Sequence, residues 1–180
     1  MLRYVTSNPG KAREAEEYLG ESVESVNLEY REPQADDIEE IAAISAETAF
    51  EALDGPDPVI VDDAGLFIDA LDGFPGPYSS YVEDTLGIER VATIARAEAD
   101  HSASFRAVIG YTDGEQVKTF GGRCRGRIVD PRGDGGFGYD PIFEHGDRTF
   151  AEMTLAEKNA VSHRGRALDR FADWYADAKP

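Results

Sequence analysis

The chain has 180 residues, and its 36 acidic side chains outnumber its 18 Lys and Arg, which gives a formal net charge of −18. A hydrophobic content of 41% is enough for a globular core, and no apolar run reaches the ~20 residues of a membrane-spanning helix. Because such a charge repels nucleic acid and anionic membranes, we expect neither as a partner.

The charge is unevenly distributed along the chain. Residues 121–170 hold nine bases and eight acids, so this segment is near neutral while the remainder carries −19. Such a segment can hold an anion, although arginines paired with neighbouring carboxylates give the same count. Since only four of the 18 bases are Lys, we also expect a protein that stays soluble in high salt.

Cysteine content and the N-terminus both favour a cytoplasmic location. The single Cys124 cannot form an internal disulfide, which fits a reducing compartment. The first residues, MLRYVTSNPGK, lack the apolar core of a signal peptide. No repeat or linker divides the sequence, so we expect one domain over residues 1–180.

The first motif is a strand, a polar loop and a helix. Residues 2–6 predict a buried strand, and the helix that follows ends at Gly20. Pro9 suits a first helical turn, and this arrangement presents free backbone N–H groups to a phosphate. Side chains of residues 6–8 add hydrogen bonds and Lys11 adds a charge. An ordinary capped helix is the alternative, because the second glycine and the Lys-Ser/Thr pair of a Walker motif are missing.

A pair of acids follows the next predicted elements. Residues 23–28 predict a second strand, and a helix capped by Asp36 or Asp37 runs to about residue 52. The apolar residues 59–61 then lead into Asp62 and Asp63, which we expect at the carboxyl end of a buried strand, where open α/β sheets bind ligands. Such a pair indicates a Mg²⁺ site or a solvated turn, and we favour the first because a turn would not need two charges.

The middle of the chain predicts an extended segment at residues 66–71 and a rigid turn at residues 73–78. Two helices follow, one after Ser80 and one over residues 88–99, and residues 104–120 predict a hairpin. Arg123, Arg125 and Arg127 alternate along the next strand and therefore share one face. That face either meets an anion or is the solvated face of an edge strand.

The last segment combines a glycine-rich loop with a polar helix. Gly138 lets a ligand approach the backbone closely. Thr154 and Glu157 form a capping box, so we expect one helix from there to about residue 177. Asn159, Ser162, His163 and Arg166 would share a face near its start, beside Lys158 and Arg164. The other histidines show no ligand spacing, so we expect no zinc site.

Three blocks together resemble the Ham1/inosine triphosphate pyrophosphatase family: TSNPGK, then VDDAGLFIDAL with GFPGPYSSY, then GFGYDPIF with TFAEMTLAEKNAVSHRGRAL. The resemblance covers residues 4–170, and the third block is the most specific. It implies an α/β fold with a twisted mixed sheet flanked by helices, two lobes with an active-site cleft between them, and a homodimer. It also implies a Mg²⁺-dependent hydrolase that converts ITP, dITP and XTP to the monophosphate and pyrophosphate, which keeps them out of DNA and RNA.

The same resemblance implies roles for single residues. Asp63 matches the family's catalytic acid and, with Glu32, its metal ligands. The substrate-binding residues would be Thr6, Ser7, Asn8, Pro9, Gly10, Lys11, Ala64, Phe137, Gly138, Tyr139, Asp140, Lys158, His163 and Arg164. Two departures bear on substrate affinity: many relatives have Ser or Thr at Ala64, and many have Lys or Arg where this chain has Ser79-Ser80.

Hydrolysis needs a water that attacks the α-phosphorus, and Asp63 would orient or deprotonate it. Arg164 or His163 would meet the O6 acceptor of hypoxanthine or xanthine, while Phe137 stacks on the ring. Two alternatives stand beside this reading: a pyrophosphatase for pyrimidine or modified nucleotides, and a sensor that binds nucleotides without cutting them. The acids argue against the sensor, because without a metal they repel phosphate.

Overall fold

The computed structural model describes residues 1–30 and 33–178, and these residues form seven strands, six α-helices and four short 3-10 helices. The strands are β1 (Arg3–Val5), β2 (Glu24–Val26), β3 (Val59–Ile68), β4 (Ser102–Thr112), β5 (Val117–Ile128), β6 (Phe143–His145) and β7 (Arg148–Thr149). The helices are α1 (Pro9–Leu19), α2 (Ile38–Ala52), α3 (Ser79–Leu86), α4 (Ile88–Arg96), α5 (Leu155–Val161) and α6 (His163–Ala178).

The strands form one mixed sheet in the order β2-β1-β3-β4-β5-β6-β7. β1 is parallel to both neighbours, with Arg3 opposite Glu24 and Val59, whereas β6 is antiparallel to β5 and β7. The predicted α/β fold, a mixed sheet flanked by helices, is confirmed. The predicted cleft and the single domain stay predictions.

Two compact units divide the chain, and the first is drawn from Met1–Asp63, Ala107–Gly122 and Arg164–Pro180. Its helix α2 lies directly on β4, because a Cβ built on Gly110 would be 2.3 Å from the carbonyl oxygen of Ala42. Only glycine therefore permits this approach. The Thr119 hydroxyl of β5 also donates to Glu39 of α2, at 2.6 Å.

Helix α6 packs in the first unit through aromatic side chains. Phe171 is fully buried and lies 5.8 Å from Tyr111 and 5.4 Å from Phe120, between ring centroids. Trp174, the only tryptophan, lies 5.0 Å from Tyr111 and 5.2 Å from Phe120. This packing fixes α6, and so the position of its first turn.

The second unit comprises Ala64–Arg106 and Arg123–His163. Its core is one cluster of buried apolar side chains around Phe105, Phe143 and Phe150, whose ring centroids lie 4.6 to 5.7 Å apart. Cys124 is wholly buried in the same cluster. The ring of His163 stacks on Phe105 at 4.8 Å, so this histidine is partly a core residue.

Two predicted strand positions were wrong. β3 continues through Asp62 and Asp63 to Ile68, so the acids lie inside the strand and not at its carboxyl end. Within this strand the Asp62 side chain is buried with cationic partners, as described below. Arg125 and Arg127 are exposed, but they lie on β5 between β4 and β6, and the edge-strand interpretation is therefore wrong.

The single predicted helix over residues 154–177 was also wrong. The capping box of Thr154 and Glu157 is present and starts α5, but Ser162 is extended (φ −68°, ψ 157°) and separates α5 from α6. His163 and Arg164 therefore begin a new helix. The predicted shared face of residues 159 to 166 does not exist as one helical face.

Candidate functional site

The first part of the candidate site is the N-terminus of α1. Asn8 caps the helix by accepting the Gly10 N–H at 2.9 Å, and the Thr6 hydroxyl oxygen accepts the Asn8 N–H at 3.1 Å. Ser7 and Asn8 are exposed. The first turn contains no acid but does contain Lys11, so the partial positive charge of the helix end and this cation add together.

A buried ion cluster in the first unit joins Lys11 to Arg164 through Asp62. Lys11 Nζ donates to Asp62 Oδ1 and Arg164 Nε donates to Asp62 Oδ2, both at 2.6 Å. The side chain of Asp62 is only 1% exposed, and that of Arg164 is 9% exposed. Each carboxylate oxygen is therefore held by a different cation.

The cluster keeps its charges. Burial alone would raise the pKa of Asp62, but the charges of Arg164 and Lys11 outweigh it and hold that pKa well below its ordinary value. Burial would lower the pKa of Arg164, and Asp62 reverses this and raises it. Burial, followed by the charge of Asp62, raises the pKa of the enclosed Tyr4 hydroxyl, so this phenol is neutral.

The predicted catalytic and metal-binding acids are placed only in part. Asp63 is half-buried in β3 and belongs to the first unit, whereas the half-buried Ala64 belongs to the second. Glu32 lies outside the described residues. Within residues 1–30 and 33–178, no group of three or more His, Cys, Asp or Glu side chains is arranged to hold a metal ion.

The second unit holds a different cluster of predicted site residues. Lys158 Nζ donates to Asp140 Oδ2 at 2.5 Å, with side chains that are 10% and 4% exposed. The same Oδ2 accepts the Phe137 N–H at 2.9 Å, and Lys158 Nζ lies 4.4 Å from the centroid of the Phe137 ring. Phe137 itself is 59% exposed, so an aromatic ring is presented on a buried ion pair.

Glycines shape this loop. Gly136 has φ +72°, and a Cβ there would lie 2.2 Å from Asp140 Oδ2. Gly138 has φ +60°, and a Cβ there would lie 3.1 Å from Glu83 Oε2. The pKa of Glu83 is raised by burial, then by the charges of Asp84 and Asp140. The sequence predicted that a ligand can approach the backbone at Gly138, but it contained no signal for this neighbouring carboxyl group.

Tyr139 and Ser79 hold the frame beneath the loop. The Tyr139 hydroxyl donates to the Ser79 carbonyl at 2.7 Å. The Ser79 hydroxyl donates to the Gly76 carbonyl at 2.7 Å and accepts the Leu66 N–H at 2.8 Å. Ser79 is therefore a structural residue that ties α3 to β3, whereas its neighbour Ser80 is exposed.

The structure thus brings the predicted residues into two groups. The first unit groups residues 6–11 with Asp62 and Arg164, and the second groups Phe137 to Asp140 with Lys158. The sequence missed the pairing of Asp62, whose partners lie 51 and 102 positions away along the chain. The roles assigned to these residues in binding and catalysis stay predictions.

Comparison with known proteins agrees with the residue pattern. A model of the Ham1 family matches residues 2–174. This chain belongs to the Ham1 family. The predicted resemblance is therefore confirmed over nearly the whole chain.

Individual Ham1 relatives are similar over almost their full length. The chain is 50% identical to a dITP/XTP pyrophosphatase of Thermococcus kodakarensis, over 96% of both chains. It is 51% identical to a dITP/XTP pyrophosphatase of Methanopyrus kandleri, over 96% of this chain and 94% of the relative. A solved HAM1 protein of Coxiella burnetii is 32% identical over 98% of both chains, with a TM-score of 0.86. In this Ham1 chain, no helix of the described residues is long and apolar enough to cross a membrane.

Proposed function

We propose that this chain hydrolyses the non-canonical purine nucleotides ITP, dITP and XTP to the monophosphate and pyrophosphate. The observation that carries the proposal is the 50% identity to a dITP/XTP pyrophosphatase over 96% of both chains. Within the proposal, each of the two side-chain groups is assigned one part of such a substrate. We extend the proposal to Mg²⁺ dependence, a homodimer and a cytoplasmic location.

The N-terminus of α1 suits the triphosphate. The partly positive end of the helix, the exposed Ser7 and Asn8, and Lys11 in the first turn all favour a negative charge. As the bond between the α-phosphorus and the bridging oxygen breaks, charge develops on the leaving pyrophosphate. Lys11 stabilises that charge, and such preorganised donors act more strongly than water because they need no reorientation.

Asp63 and Glu32 would hold a magnesium ion that arrives with the substrate. Mg²⁺ is usually held by one or two carboxylates together with substrate phosphates, so a preformed cluster of three acids is not required. Asp63 supplies one half-buried carboxylate and Glu32 would supply a second. Held there by Asp63 and Glu32, the ion would supply positive charge against the phosphates of the substrate.

Asp63 is the candidate general base. Its carboxylate accepts a proton from the water that attacks the α-phosphorus, while the electron pair of the broken P–O bond leaves with pyrophosphate. General-base catalysis contributes typically ~10²–10⁴-fold. Asp62 is unsuited to this step, since both of its oxygens already accept hydrogen bonds from cations.

The purine ring suits the exposed face of Phe137. Stacking of a base on an aromatic side chain contributes roughly 1–3 kcal/mol. Donors of Arg164 or His163 meet the O6 acceptor of hypoxanthine or xanthine, whereas the N6 amino group of adenine would face them as a second donor. When a wrong substrate leaves such buried polar groups unpaired, its kcat/KM can be lower by up to ~10⁴-fold.

The test is pyrophosphate release from a panel of nucleoside triphosphates with and without Mg²⁺. We expect release from ITP, dITP and XTP at least ~10²-fold above ATP, since selectivity rests on unpaired polar groups. We expect Asp63→Asn to bind ITP while losing at least ~10²-fold in kcat. Asp147→Asn, an exposed acid outside both groups, is the matched control and keeps full activity.

The outcomes separate the alternatives. Release only from pyrimidine or modified nucleotides would replace the substrate class, and binding without release would indicate a sensor. Near-normal turnover by Asp63→Asn would refute the role of Asp63 as the base.

A further inference from the structure

Two helices of this protein begin with cations where the helix dipole disfavours them. The first turns of α1 and α6 contain no acid, and instead carry Lys11 and Arg164 respectively. By contrast, α2 begins with Glu39 and Glu40, as expected at the partly positive end of a helix. Both exceptional helices therefore require a negative charge from elsewhere.

Asp62 provides that charge to both helices at once. It lies on β3, outside both helices, and receives Lys11 Nζ on Oδ1 and Arg164 Nε on Oδ2, each at 2.6 Å. Its side chain is 1% exposed, so water does not compete for these hydrogen bonds. Charge-assisted bonds of this length and burial fix the direction of both cationic side chains.

We propose that Asp62 is a positioning residue that aligns Lys11 for the triphosphate and Arg164 for the purine, and that it is not a metal ligand. The inference rests on the proposed function for the parts of the substrate that the two cations meet. A metal at Asp62 would have to displace the partly exposed Lys11 or the buried Arg164, which breaks an ion pair of a carboxylate that is only 1% exposed. Asp63, its neighbour in β3, keeps the proposed metal role.

The proposal has a distinct kinetic signature, because one residue acts through two. Loss of Lys11 weakens all triphosphates alike, and loss of Arg164 lowers the preference for ITP over ATP. Loss of Asp62 weakens triphosphate binding and also lowers the preference for ITP. Its effects are therefore not additive with those of losing Lys11 or Arg164. A residue that only stabilised the fold would reduce the active fraction and leave KM and selectivity unchanged.

The experiment compares kcat, KM and the half-saturating Mg²⁺ concentration of wild type, Asp62→Asn, Lys11→Met and Asp62→Asn/Lys11→Met, with ITP and ATP. Hydrogen bonds to charged groups contribute ~1.5–3 kcal/mol, so we expect Asp62→Asn to raise KM for ITP by ~10–100-fold. We expect the ITP:ATP ratio of kcat/KM to fall at least ~10-fold, on the same reasoning. The half-saturating Mg²⁺ concentration stays unchanged, and the KM of the double variant for ATP, which Arg164 does not assist, matches that of Lys11→Met.

Two results would overturn the inference. An increase of more than ~10-fold in half-saturating Mg²⁺, with selectivity intact, would make Asp62 a metal ligand. Unchanged KM and selectivity would make it a structural residue only. If Asp62→Asn does not fold, Arg164→Lys is measured in its place. Because lysine lacks the planar guanidinium fork, we expect the ITP:ATP ratio of kcat/KM to fall while the KM for ATP is kept. An unchanged ratio would refute the positioning of Arg164.

A binding measurement separates this inference from the proposed function. Calorimetry measures the affinity for inorganic tripolyphosphate, and so it tests the alignment of Lys11 by Asp62 whether or not the protein cleaves ITP. Weaker binding by folded Asp62→Asn than by wild type supports the inference, and equal binding refutes it.

Discussion

The buried pair of Lys158 and Asp140 allows a quantitative prediction for Lys158→Met. Methionine keeps the length and most of the volume of lysine, so the principal loss is the charge. Asp140 would remain 4% exposed without its cation. Removing one partner of a buried ion pair costs ~3–5 kcal/mol, and the lost contact with the Phe137 ring at 4.4 Å adds ~0.5–1 kcal/mol.

The lower end of this range is expected, because Asp140 Oδ2 also accepts the Phe137 N–H at 2.9 Å and so stays partly satisfied. We therefore expect about 3 kcal/mol of destabilisation. For a chain of this size that is roughly 6–12 °C in Tm. Urea unfolding followed by circular dichroism measures the free energy directly, and KM for ITP reports the effect on the Phe137 loop.

The double variant Asp140→Asn/Lys158→Met tests the reason for the loss. An asparagine oxygen can still accept the Phe137 N–H, and no buried charge remains. We expect the double variant to be more stable than the sum of the two single losses by ~1.5–3 kcal/mol. A loss below ~1 kcal/mol for Lys158→Met, or strict additivity in the double variant, would refute the reasoning.

Three further predictions follow from the fold and charge. Gly110→Ala forces a Cβ to within 2.3 Å of the Ala42 carbonyl oxygen and should lower the free energy of unfolding in urea by ~1–3 kcal/mol. Gly121→Ala, which has open space and an ordinary φ, is the control and should leave that free energy unchanged. Equal losses in the two variants would contradict the packing argument. Gly136→Ala combines a φ of +72° with a clash on Asp140, and both displace the loop that carries Phe137. We therefore expect the KM for ITP to rise ~10-fold, and an unchanged KM would exclude this loop from substrate binding. The net charge of −18 should make Tm rise with KCl concentration, and full stability in dilute buffer would end the high-salt interpretation.

Local sequence signals predicted most of the secondary structure. Asn8, Pro9 and Gly20 mark the ends of α1 through capping, a fixed φ and a left-handed turn, all of which depend on nearby residues. The hairpin was equally local, since Asp113 accepts the N–H groups of Glu115 and Gln116. Such elements are predictable because the atoms that stabilise them are close in sequence.

The errors arose where distant contacts decide the structure. Ser162 and Gly165 are only weak local signals of a helix break, and the break lies beside His163, which stacks on Phe105 of a distant strand. Asp62, which lies inside β3, pairs with cations 51 and 102 positions away along the chain. A single sequence contains no local trace of these partners.

The candidate site divides in the same way. Family-specific blocks named Lys11, Asp63, Phe137 and Arg164 in advance, because their residue types and order are distinctive. The sharing of Asp62 by two cations followed only from three-dimensional distances. The sequence alone left two possibilities for Asp62, a metal ligand or a residue of a solvated turn.

Trp174 gives the molecule a built-in reporter of only one of its units. It is the single tryptophan and lies among Tyr111, Phe120 and Phe171, all in the first unit. Its fluorescence therefore follows the melting of that unit, whereas circular dichroism averages over both. Coincident transitions from the two probes would indicate that the chain unfolds as one cooperative body, and separated transitions would show that the units melt independently.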